Sequence, residues 1–250
     1  MMINRRYAFL LIAFFFVTST TQAVACEGCS DHTQAWFYPA WAVSAPYAQP
    51  IRVRDTDSAL GRYSHKTKQI GLKDLARIHG HLCDGLAVSF VEIKAVLALL
   101  FPDGIIDRTD LRAVSKNSPC GVDAVSFMTG ARINFRTLRI DPSVGGGFII
   151  QRISTGEAYQ VRLKPGVLSE KQEKLEKHIR ALRAKGQSVS AAEIDEAERL
   201  ANQLSQKVLG TKPAQLVSVN RLRNFHFVPM ALGGSRGDII NKNIPRQDGR

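Results

Sequence analysis

A chain of 250 residues with 44% hydrophobic and 22% charged residues is typical of a folded globular protein, so its composition excludes an intrinsically disordered chain. A net charge of +12 would suit a nucleic-acid or anionic-membrane partner. However, the lysines and arginines are spread along the sequence, without a recognition-helix pattern or interleaved aromatic residues. We therefore predict a basic globular protein that binds no nucleic acid.

The N-terminal segment has the three parts of a secretory signal peptide. A charged stretch at Asn4-Arg5-Arg6 precedes an apolar run from Tyr7 to Val17, and Ala23-Val24-Ala25 supplies the small residues of a cleavage site. We predict that residues 1–25 are a cleaved signal peptide and that the mature protein is exported to a bacterial periplasm or cell surface. Because Cys26 follows the cleavage site directly, membrane attachment through a lipidated Cys26 is an open alternative.

Export affects how the four cysteines are interpreted. In an oxidising compartment an even number of cysteines is typically paired. The sequence leaves open a local Cys26–Cys29 bridge and a second bridge between Cys83 and Cys120. The second pairing would give those two residues a structural role.

The first half of the chain contains one strongly predicted helix. Residues 26–65 show no sustained hydrophobic period and are rich in aromatic residues and proline, which predicts an extended arm packed on the domain surface. Asp74 is the predicted cap of a short helix from Leu75 to about Ile78, which Gly80 would interrupt. Leu86 to Phe101 has apolar residues three to four apart and almost no charge, which predicts a central, mostly buried helix.

A strand, a helix and a series of strands follow. Leu111 to Ser115 alternates as a strand does, and Ser118 with Pro119 predicts the start of a helix that carries Cys120 and ends at Thr129-Gly130. Further strands are predicted at Ile133 to Ile140, Gly147 to Ile153 and Tyr159 to Leu163. This order predicts an α+β fold in which the central helix packs on a mainly antiparallel sheet.

Residues 168–209 differ in composition from the preceding strands. Dense charge with a narrow apolar stripe, interrupted at Gly186 and restarted by the capping box of Ser190 and Glu193, predicts a helical hairpin. Leu216 to Val219 is the next predicted strand, and Arg221 to Phe227 leads into or forms one more. The predicted organisation is signal peptide 1–25, N-terminal arm 26–65, α+β domain 66–232 and flexible basic tail 233–250.

A cluster of potential metal ligands lies next to the central helix. His79, His81 and Cys83 occupy alternate positions before it, and Cys120 lies at the start of the second helix. Helix N-termini favour the thiolate, which is the form of cysteine that binds metal. We predict that these four residues bind a borderline-soft ion such as Zn²⁺. Asp123, one turn after Cys120, is a candidate ligand, a partner for a histidine N–H or an acid/base group.

The chain resembles the FmdE family, named after the E component of formylmethanofuran dehydrogenase. The motifs that carry the resemblance are His79-Gly80-His81-Leu82-Cys83-Asp84-Gly85-Leu86, Cys120-Gly121-Val122-Asp123-Ala124-Val125 and Thr129-Gly130. The resemblance covers roughly Lys66 to Leu163 and implies an α+β core with a transition-metal site, usually zinc or a similar ion. By position it implies the residues named above, His79, His81, Cys83, Cys120 and Asp123, as the site.

The chain departs from the family pattern at several points. Asp84 stands where the family has proline, and Ala131 stands where it has cysteine. The cysteine-rich C-terminal zinc module of many members is missing, since no cysteine follows Cys120. An exported chain cannot act beside a cytoplasmic methanofuran-dependent complex. The resemblance therefore implies the fold and the metal site but not the named reaction.

We expect an exported protein that binds a transition metal, zinc or an ion of similar preference, for metal handling or as a cofactor site. One alternative is a metal-dependent enzyme or redox-associated accessory protein, with Asp123 and Cys83 as its catalytic residues. The other alternative is a structural domain closed by a Cys83–Cys120 disulfide. A homo-oligomer is expected only by default, because no feature of the sequence supports one.

Overall fold

The structure is a computed structural model that describes residues 36–58, 60–231, 240, 242 and 243. The predicted signal peptide, Cys26, Cys29 and most of the predicted tail lie outside the described residues. The described part of the chain belongs to one compact unit that begins at residue 34.

The element order is mixed from start to end. The helices are α1 Ala40–Val43, α2 Leu72–His79, α3 Asp84–Leu100, α4 Pro119–Thr129, α5 Glu170–Ala184, α6 Ala191–Gly210 and α7 Pro213–Leu216, with a 3-10 turn at Pro142–Val144. The strands are β1 Ile51–Arg54, β2 Lys68–Ile70, β3 Ile105–Asp107, β4 Leu111–Ser115, β5 Leu138–Ile140, β6 Phe148–Arg152, β7 Ala158–Leu163 and β8 Val217–Leu222. No helix in the described ranges has both the length and the apolar character needed to cross a membrane.

A five-stranded sheet supports the central helix. Its strand order is β5-β4-β6-β7-β8, and every neighbouring pair is antiparallel except β4 with β5. Helix α3 packs against β6, β7 and β8 on one side and contacts α4 and α6. Its side chains Leu86, Phe90, Ile93 and Leu97 are almost completely buried, because a helix this apolar is stable only inside the core. The predicted α+β fold with a buried helix on a mainly antiparallel sheet is confirmed.

A second, three-stranded sheet is present that the sequence patterns do not predict. Strand β1 lies in its centre, antiparallel to β2 and parallel to β3. Strand β1 comes from the segment for which the sequence predicts an extended surface arm, yet Val53 is fully buried. Strands of three or four residues are too short to show a period in the sequence, and the pairing of β1 with β3 joins segments about fifty residues apart.

Two local predictions differ from the structure. Helix α2 begins three residues earlier than predicted, since Gly71 is its N-cap and the Asp74 carboxylate accepts a hydrogen bond from the Gly71 N–H at 2.9 Å. The predicted strand at 133–140 is reduced to β5, because residues 133–136 form a turn in which Arg136 has a φ of 60°. The helical hairpin of α5 and α6 is as predicted, including the capping box of Ser190 and Glu193.

Candidate metal centre

Three of the predicted ligands converge on one point. The Nε2 atom of His79 lies 4.0 Å from Cys83 Sγ and 3.7 Å from Cys120 Sγ. The two sulfur atoms are 3.5 Å apart, and both cysteines are free thiols. All three side chains are partly buried, so the cluster is shielded without being closed to solvent. Within the described residues, this is the group whose donor atoms lie close enough together to hold an ion.

Helix ends position these side chains. His79 is the last residue of α2, where Gly80 reverses the chain with a φ of 108°. Cys83 is the N-cap of α3, and Cys120 lies in the first turn of α4, which Ser118 caps by accepting the Gly121 N–H. The partial positive charge of two helix N-termini therefore acts on the two sulfur atoms.

The close approach of α3 and α4 depends on a glycine. A Cβ atom at Gly85 would lie 2.8 Å from Cys120 Sγ and 2.9 Å from Cys120 Cβ. Real Cβ atoms do not approach other atoms so closely. Gly85 therefore allows Cys120 to reach Cys83.

The spacing of the donor atoms matches a tetrahedral ion. With zinc–sulfur bonds of about 2.3 Å and zinc–nitrogen bonds of about 2.05 Å, tetrahedral geometry separates two sulfurs by about 3.8 Å and a sulfur from a nitrogen by about 3.6 Å. The observed separations are 3.5 Å between Cys83 Sγ and Cys120 Sγ, and 3.7 and 4.0 Å from these atoms to His79 Nε2. An ion of this size fits among the three residues with shifts of a few tenths of an ångström.

Asp123 contacts the ring of His79 from the opposite side. Its Oδ2 atom lies 2.8 Å from His79 Nδ1, so the Nδ1–H donates to the carboxylate and Nε2 keeps its lone pair toward the sulfurs. Histidine ligands in metal sites usually have such a carboxylate partner, which sets the tautomer and orientation of the ring. The geometry places Asp123 behind His79, and its predicted catalytic role stays a prediction.

The hydrogen bond between the two thiols shifts their pKa values in opposite directions. The hydrogen bond from Cys83 lowers the pKa of Cys120, against the opposing effect of burial. The same hydrogen bond and burial raise the pKa of Cys83. These directions favour a thiolate at Cys120 with Cys83 as its hydrogen-bond donor, and a bound cation would displace the proton of Cys83.

His81 and Asp84 lie beside the trio of converging side chains, His79, Cys83 and Cys120. The exposed His81 ring is 5.3 Å from the His79 ring, between centroids, and is not among the three converging side chains. Asp84 Oδ1 accepts the Gly85 N–H at 2.8 Å, and its Oδ2 accepts from Gln172 Nε2 at 2.7 Å. Both carboxylate oxygens are thus engaged within the protein. Burial raises the pKa of Asp84, and the backbone donor at Gly85 opposes that shift.

Gln172 is a residue of this region that sequence reasoning misses. It is 2% exposed although it lies on the charged helix α5, and it links that helix to the first turn of α3. The only local signal is its position after the cap Ser169, whose hydroxyl accepts the Gln172 N–H. Such a signal says nothing about a partner 88 positions away.

Comparisons with known proteins agree with the motifs. The family model described as "FmdE, Molybdenum formylmethanofuran dehydrogenase operon" matches residues 78–218, which is more than half of the chain. A crystal structure of a tungsten formylmethanofuran dehydrogenase FmdE-like protein from Syntrophus aciditrophicus is 16% identical, with a TM-score of 0.36, covering 62% of this chain and 73% of that one. No curated protein sequence matches the chain. The family match spans α3, α4, the hairpin and four strands of the five-stranded sheet, and ends at the start of β8; the chain belongs to the FmdE family.

Proposed function

We propose that the protein binds one transition-metal ion, zinc or an ion of similar preference, through His79 Nε2, Cys83 Sγ and Cys120 Sγ. The observation that carries this proposal is the triangle of donor atoms, whose edges of 3.5, 3.7 and 4.0 Å suit a tetrahedral ion. Zinc and similar ions prefer sulfur and imidazole donors, whereas magnesium and calcium prefer oxygen donors. The hydrogen bond between His79 and Asp123 supports the same assignment.

The ligand count supports metal handling or delivery. Three protein ligands leave one position of a tetrahedral ion to a group other than these side chains, and the three residues are only partly buried. A site with an accessible fourth position can pass its ion to another carrier more readily than a site closed by four ligands. We also propose that the site acts outside the cytoplasm, which the signal-peptide pattern of residues 1–25 supports.

An enzyme is the second candidate function. Its support is the same accessible position, together with an Asp123 side chain that is 41% exposed and able to exchange protons with solvent. In that case the ion would supply Lewis acidity, and Asp123 would orient His79 while Cys83 and Cys120 hold the ion. A fourth protein ligand seen in a metal-loaded crystal would count against this candidate.

Metal analysis combined with thiol counting tests the proposal. Protein purified without a metal-affinity tag should contain about one equivalent of metal, and Cys83→Ser or Cys120→Ser should lose most of it. His178→Ala is the matched control, because His178 is exposed and bonds to Glu193 at 3.0 Å. Metal content that is unchanged in both cysteine variants would overturn the proposal.

The same sample distinguishes metal binding from the alternative in which Cys83 and Cys120 form a disulfide. After chelation and denaturation without reductant, alkylation and peptide mapping should find Cys83 and Cys120 as free thiols. A cross-linked pair in protein that contains no metal would instead assign these residues a structural role. Sulfur atoms 3.5 Å apart are close enough for this oxidation, so the thiol count has to be made on freshly isolated protein.

A further inference from the structure

A cavity with both polar and apolar walls lies at the C-terminal end of α4, where Gly130 lines it. Its volume is about 330 Å³, within the range of small-molecule sites. The residues that matter for its chemistry are Asp55, Arg108, Thr109, Arg132, Phe135 and Thr137. Helix α4 has 11 residues, so at about 1.5 Å per residue roughly 16 Å of helix separate this cavity from Cys120.

Arg108 is the buried cation in the lining of this cavity. Its side chain is only 8% exposed, and its Nη1 group pairs with Asp55. Its Nε atom is buried without a hydrogen-bond partner among the described residues. A buried N–H of a charged group that lacks an acceptor is costly, so the protein alone leaves the Arg108 guanidinium incompletely satisfied.

Arg132 adds a second positive charge at the rim. The exposed Arg132 guanidinium lies over the Phe135 ring, 4.9 Å from its centroid. Burial lowers the pKa of Arg108, and the charge of Arg132 adds to that effect while Asp55 opposes it. The lining thus holds two guanidiniums and one carboxylate, and Asp55 is also engaged by Lys68 at 3.4 Å. About one positive charge in the lining is uncompensated.

The remaining walls indicate what else the ligand carries. Leu111, Ile153 and Ile240 supply apolar surface, and Phe135 supplies an aromatic face beside Arg132. The hydroxyl of Thr109 donates to Asp107 at 2.6 Å and that of Thr137 accepts the Arg132 N–H at 3.0 Å, so both are engaged within the protein. Such a lining suits a molecule with an anionic end and an apolar or planar body.

We propose that this cavity binds a small organic monocarboxylate, whose carboxylate lies between Arg108 and Arg132 and whose apolar body packs on Phe135. Guanidinium groups bind planar carboxylates well because two parallel N–H donors match the two oxygens. A dianionic phosphate ester suits the cavity less, because the Asp55 carboxylate in the lining would repel the second charge. The site involves none of the proposed metal ligands and stands whether or not the protein binds metal.

Titration with benzoate as the probe tests the proposal on the purified protein. Benzoate should bind saturably at millimolar concentration or tighter and shift the Nε–H resonance of Arg108 in ¹H–¹⁵N spectra, whereas the uncharged isostere benzamide and inorganic phosphate should not. Arg132→Ala should weaken benzoate binding by about tenfold or more, the usual effect of losing a charged hydrogen bond. Arg77→Ala is the matched control, because Arg77 is also exposed and lies over a phenylalanine ring, that of Phe37.

Protein treated with a metal chelator provides the second control, since a carboxylate could otherwise bind to an ion at the metal centre. Benzoate affinity within about twofold of wild type in the chelated protein and in Arg77→Ala supports the cavity as the site. Equal affinity in wild type and Arg132→Ala, equal binding of benzamide, loss of binding after chelation, or no shift at Arg108 would each overturn the proposal. The shift at Arg108 is measured on the wild-type protein, so this result does not depend on how any variant folds.

Discussion

His79 and Asp123 form a hydrogen bond of 2.8 Å between Nδ1 and Oδ2, on the side of the ring that faces away from the two cysteines. The His79 side chain is only 10% exposed, so its ring is held between this carboxylate and the sulfur atoms. The arrangement fixes which nitrogen carries the proton and leaves Nε2 free to donate to a cation. Asp123 thus affects the centre through His79.

Removing this carboxylate should weaken metal binding without abolishing it. Asp123→Ala should reduce the affinity for zinc by about 10-fold to 100-fold, the usual effect of losing the partner of a histidine ligand. Asp123→Asn keeps an acceptor but loses the charge, so its affinity for zinc should lie between that of the alanine variant and that of wild type. Competition with a chromophoric zinc chelator measures the affinity. Asp195→Ala, at an exposed position on α6, is the control, and equal affinities for all four proteins would contradict the role of Asp123.

Gly85→Ala tests whether the approach of α3 to α4 sets the sulfur–sulfur distance. The added methyl group would lie 2.8 Å from Cys120 Sγ, so the two helix ends have to move apart. We expect a loss of stability of about 1–3 kcal/mol and at least a tenfold loss of metal affinity. Gly210→Ala is the control, since a Cβ atom there meets nothing within 4 Å. Unchanged metal affinity in Gly85→Ala would show that the distance between the sulfurs is not critical.

Gln172→Ala tests the link between the helical hairpin and the metal centre. The Gln172 amide donates to Asp84 Oδ2 at 2.7 Å and to Glu176 Oε1 at 3.0 Å. Without this donor the partly buried Asp84 carboxylate loses a partner, and the free energy of unfolding should fall by about 1–3 kcal/mol. Chemical denaturation measures the change against Gln187→Ala, an exposed position in the loop between α5 and α6. Equal losses in the two variants would argue against the link.

Glu92 should make the stability of the protein depend on pH. It is 3% exposed in the centre of α3, and burial raises its pKa to about 8 against the opposing effect of the Leu163 N–H. The folded protein then keeps a proton that the unfolded chain releases near its ordinary pKa, so stability falls as the pH rises from about 4.5 to about 8. At about 1.4 kcal/mol per unit of pKa, the loss at pH 8 is up to about 5 kcal/mol.

Replacing Glu92 by Gln should remove that dependence. We expect Glu92→Gln to raise the melting temperature relative to wild type at pH 8 and to have little effect at pH 4.5. Thermal unfolding at both pH values measures this difference, with Glu173→Gln at an exposed position of α5 as the control. A stabilisation that is the same at both pH values would contradict a buried, protonated Glu92.

The elements around the site are predictable because their signals are local. Helix α3 shows a long apolar period, and α4 begins with Ser118 and Pro119 and ends at Gly130, as predicted. Cys120 and Asp123 are three residues apart on one helix, so their side chains share a face. These local rules are sufficient to nominate the residues of the centre.

The rest depends on contacts between distant parts of the chain. Alternate spacing would place His79 and His81 on one face of a strand, but α2 extends to His79 and Gly80 then turns the chain, so His81 is exposed beside the trio. The bond from Gln172 to Asp84 spans 88 positions, and the pair of Arg108 with Asp55 spans 53. No period or cap in the sequence encodes such pairings, which arise only when the elements pack.

X-ray absorption at the metal edge of the loaded protein tests the central claim most directly. The account predicts an inner shell of two sulfur atoms at about 2.3 Å and at least one imidazole nitrogen at about 2.0–2.1 Å, with the sulfur signal reduced in Cys120→Ser. A shell made only of nitrogen and oxygen atoms, or one that is the same in the variant, would contradict a centre built from His79, Cys83 and Cys120.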